Sequence, residues 1–227
     1  MNTIRLPEFR SALVVIAHPD DESFGLGGVL ERLGRDGVRV RVLCLTRGEA
    51  STLGDDADLA IIRSRELACA ADQLAVEAVM LLEHPDGGLA DVSTADLDRA
   101  VNDHVGDADV IVVFEPGGVT AHPDHQAASR AAERVAAQRG LRSLQWGVSP
   151  EVAAVLNAEF DTSFVGVEGD DLAVDRGAQW RAIACHRSQS HDNPVLHRRL
   201  ELQGAYDRII LGAAVDTTHA PGRVRWV

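Results

Sequence analysis

The sequence predicts an α/β fold in which a mostly parallel sheet carries helices on both faces. Two observations point that way. Four apolar runs of strand length, 12–17, 38–46, 79–83 and 109–114, are each followed by a segment with helical spacing. Such alternation calls for right-handed crossover connections, which make the joined strands parallel. Residues 12–17 and 110–114 are also apolar at every position rather than at every second one, as in strands covered on both sides. Together these describe a Rossmann-like arrangement.

Taken in order, 12–17 is the first strand, and after it 23–34 place Leu26, Val29, Leu30 and Leu33 on one helical stripe that ends at Gly34 to Gly37. The second strand, 38–46, precedes a helix from Leu59 to Leu74 with Ile62, Leu67, Ala71 and Leu74 turned to the core. The third, 79–83, runs into His84-Pro85-Asp86-Gly87-Gly88, a turn by composition. After the fourth, Pro123 suits a first helical position, and Ala127, Ala131 and Val135 form a stripe of small residues. Beyond that the pattern weakens: 141–167 mixes strand-like pieces with Gly147 and Pro150, 174–187 reads as helix, and Ile209 to Val215 as a last strand. No Pro-, Gly- or Ser-rich linker divides the chain, so 1–227 is read as one domain, with 141–227 its less regular C-terminal part.

In the commonest order for such sheets the first and fourth strands are neighbours, and their carboxyl ends flank the switch point where ligands bind. His18-Pro19-Asp20-Asp21 follows the first strand and His122-Pro123-Asp124-His125 follows the fourth. Two clusters far apart in sequence are thereby expected to face one crevice.

Composition narrows the function. A net charge of −13 and a pI near 5.0 oppose nucleic-acid binding, and no concentrated basic stripe offsets them. All 22 basic residues are arginine, which excludes a Schiff-base lysine or a phosphate-loop lysine. Cys44, Cys69 and Cys185 are odd in number and widely spaced, and read as small buried hydrophobes rather than a disulfide framework. No run approaches a membrane span and residues 1–9 lack the features of a signal peptide, so a cytoplasmic protein is expected, with a homo-oligomer left open.

His18, Asp21 and His125 supply the three protein ligands of a catalytic zinc site, with a fourth position left for water; iron(II) suits the same donors. Asp20, between two ligands, is placed as a general base, and His122 as an imidazolium acting on an oxyanion, its ring oriented by Asp124. Glu22 reads equally as support for the ligand shell or as a partner for a backbone group. Arg63 and Glu66 fit a helix-face pair as well as a site, and His186 and Gln189 fit a cavity lining as well as a helix cap. The rival signal is Gly25-Leu26-Gly27-Gly28, a glycine-rich turn that suggests dinucleotide binding but departs from the usual spacing.

The motif Ala17-His18-Pro19-Asp20-Asp21-Glu22, with the later His122-x-x-His125, resembles the PIG-L/LmbE-like zinc N-deacetylases. Thr46-Arg47-Gly48-Glu49, Arg63-x-x-Glu66, Asp86-Gly87 and His186-x-Ser188-Gln189 add weaker matches in the family's order, over about residues 12–190. The resemblance implies a metal-dependent hydrolase that removes an acyl group, usually acetyl, from an amino sugar or its conjugate. By it His18, Asp21 and His125 match metal ligands, Asp20 the base, His122 the second catalytic group, and Arg63 and Asp86 substrate contacts. The alternatives carried forward are a nucleotide- or NAD-binding module, an amidase acting on a thiol conjugate, and a metal-dependent binding protein without turnover.

Overall fold

Strands β1 (Ser11–Ile16) and β4 (Val110–Phe114) lie side by side near the centre of a seven-stranded sheet in the computed structural model, which describes residues 3–53 and 58–212. The remaining elements are α1 (Asp21–Phe24), α2 (Gly27–Arg35), β2 (Arg39–Thr46), α3 (Leu59–Gln73), β3 (Ala78–His84), α4 (Thr94–His104), α5 (Pro123–Arg139), β5 (Arg142–Gly147), α6 (Pro150–Phe160), β6 (Asp170–Ala173), α7 (Arg176–Cys185), α8 (Arg187–Ser190), α9 (Pro194–Gln203) and β7 (Tyr206–Leu211). The strand order is β3-β2-β1-β4-β5-β7-β6; β1 to β5 pair in parallel, while β7 is antiparallel to both β5 and β6. The expected α/β architecture and the adjacency of the first and fourth strands are both present.

The unbroken apolar runs have a physical cause, because the central strands are covered on both faces. Val14 and Ile16 face one apolar layer with Leu26, Leu30 and Leu33 of the α2 region, whereas Leu13 and Val15 face the other with Ala128, Ala131 and Val135 of α5. Small residues on α5 let that helix lie close to the sheet, and Gly140, left-handed at φ 67°, ends it.

Three expectations change. The single helix over 23–34 is two: both Gly25 and Leu26 N–H groups reach the Asp21 carbonyl, which interrupts the repeat, and α2 starts afresh at Gly27. The last strand begins earlier, at Tyr206, and positions 213–215 lie outside the described residues. Cys69 and Cys185 are joined in a disulfide although 116 residues separate them, because α3 and α7 pack side by side; Cys44 is free and buried. Among the described residues no helix is long and apolar enough to cross a membrane.

Candidate metal centre and its cavity

The two histidine clusters meet at the carboxyl ends of β1 and β4. His18 Nδ1 lies 3.3 Å from His125 Nε2, and His125 Nε2 lies 3.1 Å from Asp21 Oδ1. Donors about 2.0–2.1 Å from a tetrahedral zinc stand about 3.3–3.4 Å from each other, so this spacing fits one small ion. The outward-facing nitrogens strengthen the fit. His18 Nε2 is held by Asp124 (3.2 Å) and Asp86 (3.1 Å), and His125 Nδ1 by the Gly118 carbonyl (3.2 Å). Each of those acceptors takes a ring N–H, which turns a lone pair of each imidazole toward the other. Two lone pairs so placed repel unless a cation or a proton lies between them.

Local sequence explains the aim. Asp21 Oδ2 accepts the Ala17 and His18 N–H groups (3.2 and 2.9 Å), which closes the turn after β1 and leaves Oδ1 for the shared point. On the other side Glu115 accepts from the Gly117 and Val119 N–H groups, which fixes the loop leading to His122. Burial favours the neutral form of Asp21, but His125 and His18 outweigh it and hold the carboxyl well below the usual range. For His18 burial opposes the charge, yet Asp124, Asp86, Asp21 and Asp20 together push its pKa to about 10. In the ion-free protein a proton takes the place that the same carboxylates prepare for a cation.

Asp20 sits in a sparsely populated backbone region (φ 130°) between His18 and Asp21, with its N–H held by Glu22 Oε2 at 3.0 Å. Burial raises its pKa to about 6 against the pull of Arg63, whose Nη2 donates to Asp20 Oδ2 at 3.0 Å. Arg63 also donates to the Gly48 and Pro19 carbonyls, both at 2.6 Å, so it braces Asp20 rather than pairing with Glu66. Glu66 instead accepts from Ser188 N–H and Oγ (2.8 and 2.6 Å). Glu22 is fully buried and joins the Asp20 N–H, Ser23 Oγ (2.5 Å) and His186 Nε2 (2.6 Å).

Three expected roles are corrected. Asp124 does not orient His122: its carboxylate is taken by His18 and by the Gly87 and Leu89 N–H groups (2.8 and 3.0 Å). His122 caps α5, its Nδ1 accepting the Asp124 N–H at 3.2 Å, and burial followed by positive His125 and His18 lowers its pKa. It is therefore a neutral ring with its proton on Nε2, not an imidazolium. His186 is withdrawn from solvent at 0% exposure and does not line the cavity; it holds Glu22, whose charge outweighs burial and raises the histidine's pKa. Asp86 does line it, with Oδ1 on His18 and Oδ2 accepting the Ala50 N–H at 2.7 Å.

The cavity measures about 560 Å³ and opens over His18, Asp20, Asp21 and His125, with Trp146, Phe164 and Leu196 forming an apolar wall. Sequence reasoning missed the part of that wall carried by α9, although Leu196 and Leu200 mark a buried helical stripe that also includes Arg199. The glycines of the Gly25-Leu26-Gly27-Gly28 turn are accounted for by close packing. A Cβ on Gly25 would meet the Phe114 ring at 2.3 Å, and one on Gly28 would meet Asp207 at 2.5 Å, so protein side chains already fill that space.

This fold and donor set describe a Rossmann-like α/β protein with a His-Asp-His cation site at the sheet's switch point. The chain belongs to the PIG-L family, whose profile, described as GlcNAc-PI de-N-acetylase, matches residues 13–136. It is similar to the 1D-myo-inositol 2-acetamido-2-deoxy-alpha-D-glucopyranoside deacetylase of Kineococcus radiotolerans, 34% identical over 189 residues, 66% of this chain and 52% of that one. It is also 32% identical, over 55% of its length and 60% of the other's, to a probable N-acetyl-alpha-D-glucosaminyl L-malate deacetylase 2 of Bacillus cereus. The chain spans about half the length of the curated relatives it matches first. In fold it resembles a conserved protein of Thermus thermophilus, with a TM-score of 0.68, 23% identity, and 97% and 98% of the two chains covered.

Proposed function

We propose that this protein is a divalent-metal-dependent hydrolase that removes an acyl group, acetyl foremost, from the nitrogen of an amino sugar or amino-sugar conjugate. The observation that carries the reading is the convergence of His18 Nδ1, His125 Nε2 and Asp21 Oδ1 beside an unligated carboxylate, Asp20. The relatives' names support the substrate class, since both describe deacetylases of molecules bearing an acetylated amino sugar. Zinc is the ion we assign, with iron(II) accepted by the same donors. When bound it supplies a Lewis acid that polarises an amide carbonyl and makes a nearby water more acidic.

The chain's own groups do the rest. Asp20 takes the proton of the attacking water: Arg63 holds its Oδ2, and no described contact engages Oδ1. Its elevated pKa makes it a better proton acceptor than an ordinary carboxylate, and it is still ionised near neutral pH. His122 offers its Nε2–H to the oxygen that gains charge as the carbonyl carbon becomes tetrahedral. Asp124 fixes the tautomer of His18, and the Glu22–His186 pair holds the backbone that aims Asp20. Asp86, at the cavity edge, is assigned to a sugar hydroxyl, and Arg63 reaches the substrate only through Asp20.

The test is metal analysis of the purified protein together with acetate release from N-acetylglucosaminides, before and after chelation. Activity that disappears with the metal and returns on adding zinc supports the reading; full activity without metal ends it. We carry a cytoplasmic location forward as part of this proposal. There the Cys69–Cys185 bridge is a tie that cellular reductants can open, which thiol trapping in extracts measures.

A further inference from the structure

One cation on the cavity wall has no part in the chemistry just proposed. Arg199 lies on the inward stripe of α9, is 4% exposed, and lines the cavity next to Trp146 and Leu196. Its Nη1 donates to Gln203 Oε1 at 2.9 Å and its Nη2 to the Phe24 carbonyl, and its Cζ stands 5.0 Å from the centre of the Trp146 ring. Neither acceptor carries a charge. Of the five N–H groups of a guanidinium these bonds use two.

The neighbouring charges do not balance Arg199. Asp207, fully buried, accepts from Gln203 at 3.4 Å but is ion-paired with Arg176 at 2.9 Å, so a single carboxylate faces two guanidinium groups. Among the described residues no carboxylate lies within ion-pair distance of Arg199. Burial lowers its pKa to about 10, with Asp207 opposing and Arg176 adding to the shift, so it stays charged at neutral pH. A buried guanidinium is costly unless an anion answers it, and the planar fork suits carboxylate and phosphate oxygens. Arg63, the other arginine on the cavity, is committed to Asp20 and two carbonyls and cannot fill that role.

We propose that Arg199 is an anion-recognition point, and that the ligand of this cavity carries a carboxylate or phosphate group which the guanidinium engages beside Trp146. The inference rests on the amide-hydrolase reading for the other end of the ligand, held over the metal centre. The ligand class is thus an N-acylated amino sugar with an acidic substituent. A purely structural Arg199, pinning α9 to the end of α1 through the Phe24 carbonyl, is the competing account.

Calorimetric binding separates the two. The metal-loaded full chain is titrated with methyl N-acetylglucosaminide, N-acetylglucosamine 1-phosphate and an N-acetylglucosaminyl glycoside of a hydroxy-dicarboxylic acid, at low and high salt, for the wild type, Arg199→Gln and Arg199→Lys. The expected result is roughly tenfold tighter binding of the anionic ligands by the wild type, a preference that shrinks with salt, vanishes in Arg199→Gln and partly survives in Arg199→Lys. The stronger of the two anionic ligands distinguishes carboxylate from phosphate. No preference in the wild type, a preference indifferent to salt, or equal weakening of all three ligands in the variants overturns the proposal. Should Arg199→Gln not fold, the wild-type salt series and Arg199→Lys still decide it. Acetate release measured in parallel keeps the readings apart, because an anion preference without acetate removes the hydrolase and leaves the anion point standing.

Discussion

Replacing Asp20 by asparagine is expected to make the metal-free protein more stable and the enzyme far slower. Asparagine has nearly the same shape and can still accept the Arg63 N–H now received by Oδ2. What it removes is a charge that folding disfavours. The carboxyl rises from 3.8 to about 6 on folding, and its side chain is only 15% exposed. At about 1.4 kcal/mol per pKa unit, ionised Asp20 costs the folded state up to about 3 kcal/mol at neutral pH. The sign is that of a raised carboxylate: stability falls as pH climbs from about 4 to about 6 and is level above. Asp20→Asn, which mimics the protonated form, should gain up to about 3 kcal/mol at pH 7 and nothing at pH 3.5. Its rate of acetate release should drop on the order of 10²–10⁴-fold with metal content unchanged. Denaturant unfolding in excess chelator at the two pH values, kinetics, and metal analysis measure the three quantities. A variant that keeps wild-type turnover, or that loses stability at pH 7 in chelator, refutes the reasoning.

Other consequences can be measured independently. Because His18 is held protonated up to about pH 10 in the ion-free protein and the pKa of His125 is raised as well, zinc must displace at least one proton, and affinity should rise at least about tenfold per pH unit between pH 6 and 9; chelator competition showing a flat profile contradicts this. Glu22→Gln breaks a pair that is fully buried on both sides and should cost about 3–5 kcal/mol of unfolding free energy. The raised pKa of His186 makes the wild-type contribution complete below about pH 6.5, its unfolded value, and lost as pH climbs through the folded value, so the deficit of Glu22→Gln should shrink in alkaline buffer. Cys69→Ser opens a loop of 116 residues and should lower stability by about 2–4 kcal/mol, with reductant reproducing the effect in the wild type and leaving the variant unmoved.

The parallel half of the fold was legible because its signals are local. Runs such as Leu13 to Ala17 announce a strand covered on both faces, and the adjacency of β1 and β4 follows from the commonest order of such sheets. Placing His18, Asp21 and His125 together required nothing more. What escaped depends on partners brought together from far along the chain. Asp124 stands beside His122 in sequence, yet its carboxylate finds His18 and two N–H groups of the loop after β3. The role of His186 depends on Glu22, 164 positions away, and the Cys69–Cys185 bridge on how α3 meets α7. Strand β6, and with it the antiparallel pairing to β7, escaped for another reason: Asp-Asp-Leu-Ala at 170–173 buries only two side chains and lacks a strand's usual pattern. Arg199 was legible only through its i, i+3, i+4 spacing with Leu196 and Leu200 on a helix whose pattern went unread, since the arginine doublet by itself does not say which member points inward.

The mixed sheet also divides labour along the chain. The three donors of the candidate cation site and the carboxylate beside them come from the turn after β1, the start of α1 and the first turn of α5 after β4, all anchored in the parallel core, whereas Phe164, Gln189, Asn193, Leu196 and Arg199 reach the same cavity from the C-terminal portion. On the proposed reading, the hydrolytic groups and the point that engages the ligand's anionic end are therefore written on separate stretches of polypeptide. Exchange of the second stretch between relatives would change what is admitted while sparing the means of cleaving it, and that modularity makes this scaffold a convenient chassis for altered selectivity.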